Sequence, residues 1–268
     1  MAGHSKWANI KRQKARVDAV KGKTFAKISR AIIIAARSGV PDPNGNFQLR
    51  TAIEKAKAAG IPNDNIERAI AKGSGKLGAD GEIEAIRYEG YGPGGVAILI
   101  EALTDNRNRT AADLRAAFSK RGGNLGETGC VGWMFEQKGV VSLYRPGQGK
   151  IKAVAIDEEQ LLEDLLEAGA ETYELTDLDT SLDVDWPGAE VFTDPASLEA
   201  LTQALKDQGY AVTQAELRWI PNNSVEVTDA EQARSLLRLM DALEDLDDVQ
   251  SVTANFEMAD ELMDTSLV

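Results

Sequence analysis

The stretch 224-SVEVTDAEQARSLLRLMDALEDLDDVQSVTANFE-257 decides the fold. Val225 to Asp229 reads as a strand ending in Thr-Asp, with Asp229 placed to cap a helix. In that helix Ala233, Leu236, Leu237, Met240 and Leu243 recur at the 3.6 period. VQSVTANF, residues 249–256, follows as a strand. A strand–helix–strand unit of this length has no sheet of its own and must complete one elsewhere. Glu190-Val-Phe-Thr-Asp194 leads into a helix in the same way, so the pattern occurs twice.

The missing partner lies upstream. AIRYEGY (85–91) and VAILIEALTD (96–105) are strand-like and joined by the turn Gly92-Pro93-Gly94-Gly95. Thr110 to Arg121 reads as a helix stopped by Gly122-Gly123, and CVGWMFEQ (130–137) as a further strand. Residues 83–135 thus lack a closing strand–helix–strand, and 224–257 supplies it. Between them, GVVSLYR, Asp157 to Ala168, ETYELTD, AEVFTD, Pro195 to Asp207 and YAVTQAELRWI give the order βαββαβ. That order is the ferredoxin-like pattern.

The first part of the chain is helical. Phe25, Ile28, Ile32 and Ala35 fall at helical spacing over 23–38, with Lys23, Lys27, Arg30 and Arg37 on the opposite side. Asn44 or Asn46 caps a second helix striped by Leu49, Ile53 and Ala56. Asp64-Asn-Ile-Glu67 resembles a capping box for a third helix, ended by Gly73, and 73–82 is linker-like in composition. The expected class is α+β and multi-domain. An all-helical N-terminal domain covers 1–78, a discontinuous α+β domain 79–135 plus 222–268, and an inserted acidic ferredoxin-like domain 136–221.

Charge separates along the same lines. Residues 1–40 hold ten Lys/Arg and one acid, Asp18, whereas the whole chain carries a net charge of −13. Extended to residue 78, the basic segment holds 16 Lys/Arg and five acids, or +11, which leaves −24 for the rest. Such asymmetry speaks of partners, and a phosphate polymer is the usual partner of a basic end because binding releases condensed counterions. The alternative is that the basic end folds against the chain's own acids. His4, Lys6, Trp7, Lys11, Arg12, Lys14, Arg16, Lys21, Lys23, Lys27, Arg30 and Arg37 are the candidate nucleic-acid contacts, with Trp7 able to stack on an unpaired base. Asp105-Asn-Arg107-Asn-Arg109-Thr110 adds two arginines before a helix, where Asn108 or Thr110 could equally serve as a cap. No helix-turn-helix, zinc-finger or RNA-recognition spacing is present, so DNA and RNA stay open.

Other chemistries find little support. His4 is the sole histidine and Cys130 the sole cysteine, which excludes a Ser-His-Asp or Cys-His site beyond the arm, a disulfide framework and a cysteine zinc site. Gly90-x-Gly92-x-x-Gly95 matches a dinucleotide fingerprint by letter, but a strand follows it where a helix is required. Gly22-Lys23-Thr24 lacks the first P-loop glycine, because Val17 stands there. Asp177, Asp179, Asp183 and Asp185 fail the calcium-loop spacing at Leu182 and Gly188 and read as a solvated loop. No cofactor or metal is expected. The longest apolar run, Ala31 to Ala36, is too short for a membrane span, and a cytoplasmic setting fits the single cysteine.

MAGHSKWANIKRQKARVDAVKGKTFAKISRAI, PNDNIERAIAKG, YEGYGPGGVAILIEALTDNRNRT and FSKRGGNLGETGCVGWMFEQKG resemble the YebC family over nearly the whole chain. That family contains bacterial proteins described as probable transcriptional regulators that bind DNA, and the mitochondrial translational activator of cytochrome c oxidase subunit I. The resemblance implies three domains, a cytoplasmic protein and no catalytic activity. It implies either control of transcription at DNA or action on the ribosome and its RNA, helping elongation through stretches such as consecutive prolines. The acidic inserted domain diverges most from the family pattern and is a candidate surface for a protein partner.

Overall fold

The computed structural model describes residues 21–76, 83–147, 153–178, 186–259 and 261–263. They form two compact units, residues up to Glu136 together with Pro221 onward, and Gln137–Ile220.

The first unit opens with three helices, α1 (Lys21–Ser38), α2 (Phe47–Ala58) and α3 (Asn63–Gly73). Their apolar stripes meet in one core, in which Ile32, Leu49 and Ala56 are fully buried. Of the two candidate caps for α2, Asn46 is the one used. Its side chain accepts from the Leu49 N–H at 3.0 Å and donates to the Ala35 carbonyl at 2.8 Å, pinning α2 to the end of α1. The capping box at Asp64 does not form. Helix α3 starts at Asn63 instead, two residues earlier, with Pro62 in the cap position, where its carbonyl accepts from Asn65 and Ile66. Gly73 is a packing residue as well as a stop. A Cβ there would strike the Ile33 carbonyl and come within 2.8 Å of the Ala36 methyl, so only glycine lets α3 cross α1 this closely.

The sheet of the same unit begins with a hairpin, β1 (Glu84–Tyr91) and β2 (Ala97–Thr104), paired from Glu84↔Thr104 to Tyr91↔Ala97. Its turn, Pro93–Gly95, holds Gly94 at φ 74° and Gly95 at φ 75°, a conformation that favours glycine. Helix α4 (Arg107–Lys120) and the short β3 (Asn124–Leu125) follow. After the second unit the chain returns with β9 (Val225–Glu226), α7 (Ala230–Glu244), β10 (Val249–Ala254) and β11 (Phe256–Glu257).

Strand order is β10-β2-β1-β3, so β10 pairs with β2, antiparallel, with Val252 opposite Ile100. Helices α4 and α7 bury Phe118, Leu236 and Met240 against Ile98 and Ile100. Two expectations change. The leading strand of 224–257 stays out of this sheet, and β9 pairs in parallel with β11 instead. Asn255 turns the chain there. Its side chain accepts from the Ala97 N–H at 2.7 Å while its carbonyl takes the Val225 N–H at 2.7 Å. Nor is Cys130–Met134 a strand. It is a turn and a short 3-10 segment wound around Glu89, described below.

The second unit is built on β4, which runs unbroken from Phe135 to Pro146. Then come β5 (Ala153–Val154), α5 (Glu158–Ala168), β6 (Thr172–Leu178), β7 (Trp186–Thr193), α6 (Leu198–Asp207) and β8 (Ala211–Pro221). The sheet reads β4-β7-β6 with β8 also on β4, the strand order of a ferredoxin-like βαββαβ unit, and β5 pairs with the far end of β4. Asp157, Asp194 and Asp229 each accept a backbone N–H at the start of the following helical turn. Among the described residues no helix is long and apolar enough to cross a membrane.

Candidate nucleic-acid interface

Helix α1 is amphipathic because its isoleucines and alanines recur every three to four residues. Ile28 and Ile32 turn inward, which forces Lys27, Arg30 and Arg37 to the other side. That cationic side meets the chain itself. Lys27 Nζ donates to the carbonyl of Glu244 and Arg30 to that of Asp247. The Glu244 carbonyl closes α7, where unpaired C=O groups and the negative end of the helix dipole favour a cation, and Asp247 lies in the turn just beyond. Arg30 also pairs with Asp248 at 3.2 Å, and Arg37 donates to the Ile83 carbonyl at 3.0 Å.

Arg107 and Arg109 lie inside the first turn of α4, not before it, because Asn106 is the cap. The Asn106 side chain takes the Arg109 N–H at 3.1 Å, leaving Asn108 and Thr110 within the helix. Arg107 reaches Glu84 at 3.6 Å, an open surface pair that contributes little. Arg109 spans Asp105 and Asp248, each at 2.8 Å.

Asp248 is therefore the point where α1, α4 and the start of β10 are joined. Its side chain is 6% exposed, and it also accepts from the hydroxyls of Thr110 at 2.8 Å and Thr104 at 3.1 Å. Burial alone would raise its pKa, but the bonds from Arg109 and Thr110 outweigh burial and hold the carboxyl below its ordinary value. A cleft of about 470 Å³ opens beside it, lined by Arg30, Arg109 and the carboxylates of Asp105, Asp113 and Asp245 among others.

Glu89 is the second buried carboxylate, 4% exposed on β1. It accepts from the backbone N–H of Gly129 (2.9 Å), Val131 (2.7 Å) and Gly132 (2.7 Å). Burial again pushes its pKa up, and the three N–H donors bring it below the ordinary value. Those donors fold 129–132 around the carboxylate and keep them out of a strand. The Cys130 thiol sits in this loop, pushed up by burial and by the Glu89 charge, so it holds its proton at neutral pH.

Of the sequence candidates, Lys27, Arg30, Arg37, Arg107 and Arg109 are thus all in contact with the chain's own oxygens. Lys21 and Lys23 fall in the first turn of α1. His4, Lys6, Trp7, Lys11, Arg12, Lys14 and Arg16 lie outside the described residues, as do the loop acids Asp179, Asp183 and Asp185 and the linker from Leu77 to Glu82. The candidate set omits Lys57, Arg68 and Lys76, exposed cations on or just beyond α2 and α3. The charge census to residue 78 contains them, whereas a search for a continuous basic run stops at Arg37. Among the described residues no group of three or more His, Cys, Asp or Glu could hold a metal ion.

Comparison with known proteins covers the chain twice over. Residues 5–76 match the model of the TACO1/YebC protein N-terminal domain, and 83–256 that of the TACO1/YebC second and third domain. A "probable transcriptional regulatory protein" of Trichormus variabilis is 70% identical over 267 residues, 99% of each chain. A protein of the same description from Gloeothece citriformis is 72% identical over 264 residues, 98% of each chain. The crystal structure of a conserved hypothetical protein from Aquifex aeolicus, 43% identical, superposes with a TM-score of 0.78 over 92% of this chain and 94% of that one.

Proposed function

The chain belongs to the TACO1/YebC family, and we propose that it is a non-enzymatic nucleic-acid-binding regulator that controls transcription at DNA. The observation that carries this reading is the placement of +11 on residues 1–78 of a chain whose net charge is −13. The names of its relatives, probable transcriptional regulatory proteins, support the regulatory part.

The mechanism is electrostatic docking by the arm. His4, Lys6, Lys11, Arg12, Lys14, Arg16, Lys21 and Lys23 contact phosphates, and Trp7 stacks on a base or anchors the arm. Lys57, Arg68 and Lys76 extend the same field. The acidic remainder repels phosphate elsewhere and so orients the molecule during encounter. Lys27, Arg30 and Arg37 serve the fold first, because their donors are directed at carbonyls and at Asp248.

That last point favours a second reading, a translation factor on the ribosome. A cationic helix face engaged with its own protein is not presented to a groove, and binding by arm and phosphate suits structured RNA read by shape. Crosslinking in growing cells, followed by purification of the protein and sequencing of the attached nucleic acid, separates the two. Discrete promoter DNA with little RNA is the expected result. Ribosomal RNA that disappears when residues 1–21 are removed would replace it with the translation reading. Neither polymer above background would refute both.

A further inference from the structure

The second unit carries the opposite charge, six Lys/Arg against 17 Asp/Glu over residues 137–220, or −11. It also exposes an apolar step. Leu166 is 72% exposed, Leu175 50% and Leu162 46%, against a core in which Leu161 and Leu165 are buried.

The contacts of α5 place these leucines. At about 100° per residue, Leu161 and Leu165 define the buried face. On one flank Asp164 accepts from the Tyr210 hydroxyl at 2.8 Å. On the other, Glu158 accepts from the Tyr173 hydroxyl of β6 at 2.9 Å. Leu162 and Leu166 fall on that second flank, beyond Glu158, so they overhang β6. Alternation along β6 puts Leu175 and Asp177 on the same face as Tyr173. Strand β6 ends the sheet, paired with β7 alone among the described residues. A helix flank beside an open strand edge is the geometry that accepts an added strand.

Charge chooses the occupant. Glu163 and Glu167 run along α5 beside the leucine row, and Glu174 and Asp177 lie on β6. A second copy adding its own β6 would set these acids against their equivalents. Strand edges are commonly guarded by lysine or proline, and Thr172–Leu178 holds neither. We propose that β6 and the outer flank of α5 dock an extended segment of another protein, in which aliphatic residues alternate with Lys or Arg. Its backbone continues the sheet, its aliphatic side chains cover Leu162, Leu166 and Leu175, and its cations, on the opposite face by the same alternation, meet Glu174 within the acidic field of the unit.

The test uses the full chain and a labelled acetyl-Lys-Val-Lys-Val-Lys-Val-Lys-amide peptide, without nucleic acid, so its outcome is independent of the reading above. The expected result is saturable binding that protects the β6 amides from hydrogen exchange. Leu162→Glu with Leu166→Glu, both at exposed sites, should weaken it at least tenfold. So should a peptide N-methylated at alternate residues, which keeps every charge but cannot complete the ladder. Equal binding of the N-methylated peptide would reduce the effect to charge alone and overturn the proposal. So would unchanged β6 exchange, or a concentration-dependent dimer that Leu175→Glu dissolves.

Discussion

The first 78 residues and the inserted unit carry net charges of +11 and −11, yet they deploy them differently. In the helical segment Lys27, Arg30 and Arg37 turn onto the protein's own oxygens. In the inserted unit Glu163 and Glu167 point outward beside uncovered leucines. A charge count therefore gives the polarity of a molecule, while the folded neighbours decide which charges remain for a partner. Helix α1 shows why: Lys27 meets the carbonyl end of α7 and Arg30 the turn after it, each 217 residues away in sequence.

The sharpest way to break the comparison is to reverse the arm. Replacing Lys11, Arg12, Lys14 and Arg16 by Glu should lower affinity for nucleic acid by on the order of 10³-fold at moderate salt, measured by fluorescence anisotropy. A loss no larger than twofold would remove the arm from the interface.

Next comes the structural use of the inward cations. Asp248→Ala removes the buried acceptor shared by Arg30, Arg109 and two threonine hydroxyls, and should cost the first unit about 3 kcal/mol in urea unfolding. Nucleic-acid affinity of the folded variant should stay within about threefold of the parent if the Asp248 cluster is structural rather than a contact. A drop matching that of the arm variant would make Arg30 and Arg109 direct ligands.

A smaller effect is expected at the exposed cations that no basic run reveals. Lys57→Glu, Arg68→Glu and Lys76→Glu together should weaken binding about tenfold, with folding unchanged by circular dichroism, if they extend the arm's field. The same number of reversals at Lys138, Lys206 and Arg145 should leave binding unchanged.

The smallest effect is one of pH. Asp248 and Glu89 are both held below their ordinary values, so their stabilisation is full above the ordinary carboxylate range. It fades as pH falls through roughly 4 and below. Thermal unfolding from pH 7 to pH 3 should show a steeper loss for the parent than for Glu89→Gln or Asp248→Asn. Parallel curves would show that neither carboxylate titrates differently on folding.

Much of the fold is legible in the residues. Periodicity marks α1, α2 and α7, Gly92-Pro93-Gly94-Gly95 marks the hairpin, and Asp157, Asp194 and Asp229 announce their helical turns. What escapes depends on distant partners. Val225–Glu226 reads as a sheet strand, but its partner is chosen by Asn255, which turns the chain 30 residues on. Cys130–Met134 has strand-like composition, and only a buried Glu89 some 40 residues earlier draws its N–H groups away from a ladder. Asp248 looks like one of the four acids from Glu244 to Asp248. Its role appears once Arg30 and Arg109 converge on it.

The most direct test of the central claim is the salt dependence of binding. Affinity of the full chain for a duplex DNA and for a structured RNA would be followed between about 50 and 200 mM salt, beside a chain lacking residues 1–20. If the arm neutralises phosphates, log affinity falls with log salt at a slope of at least about −4 for the full chain, and the slope shrinks by half or more without the arm. A slope near zero, or one that residues 1–20 do not change, would contradict the account.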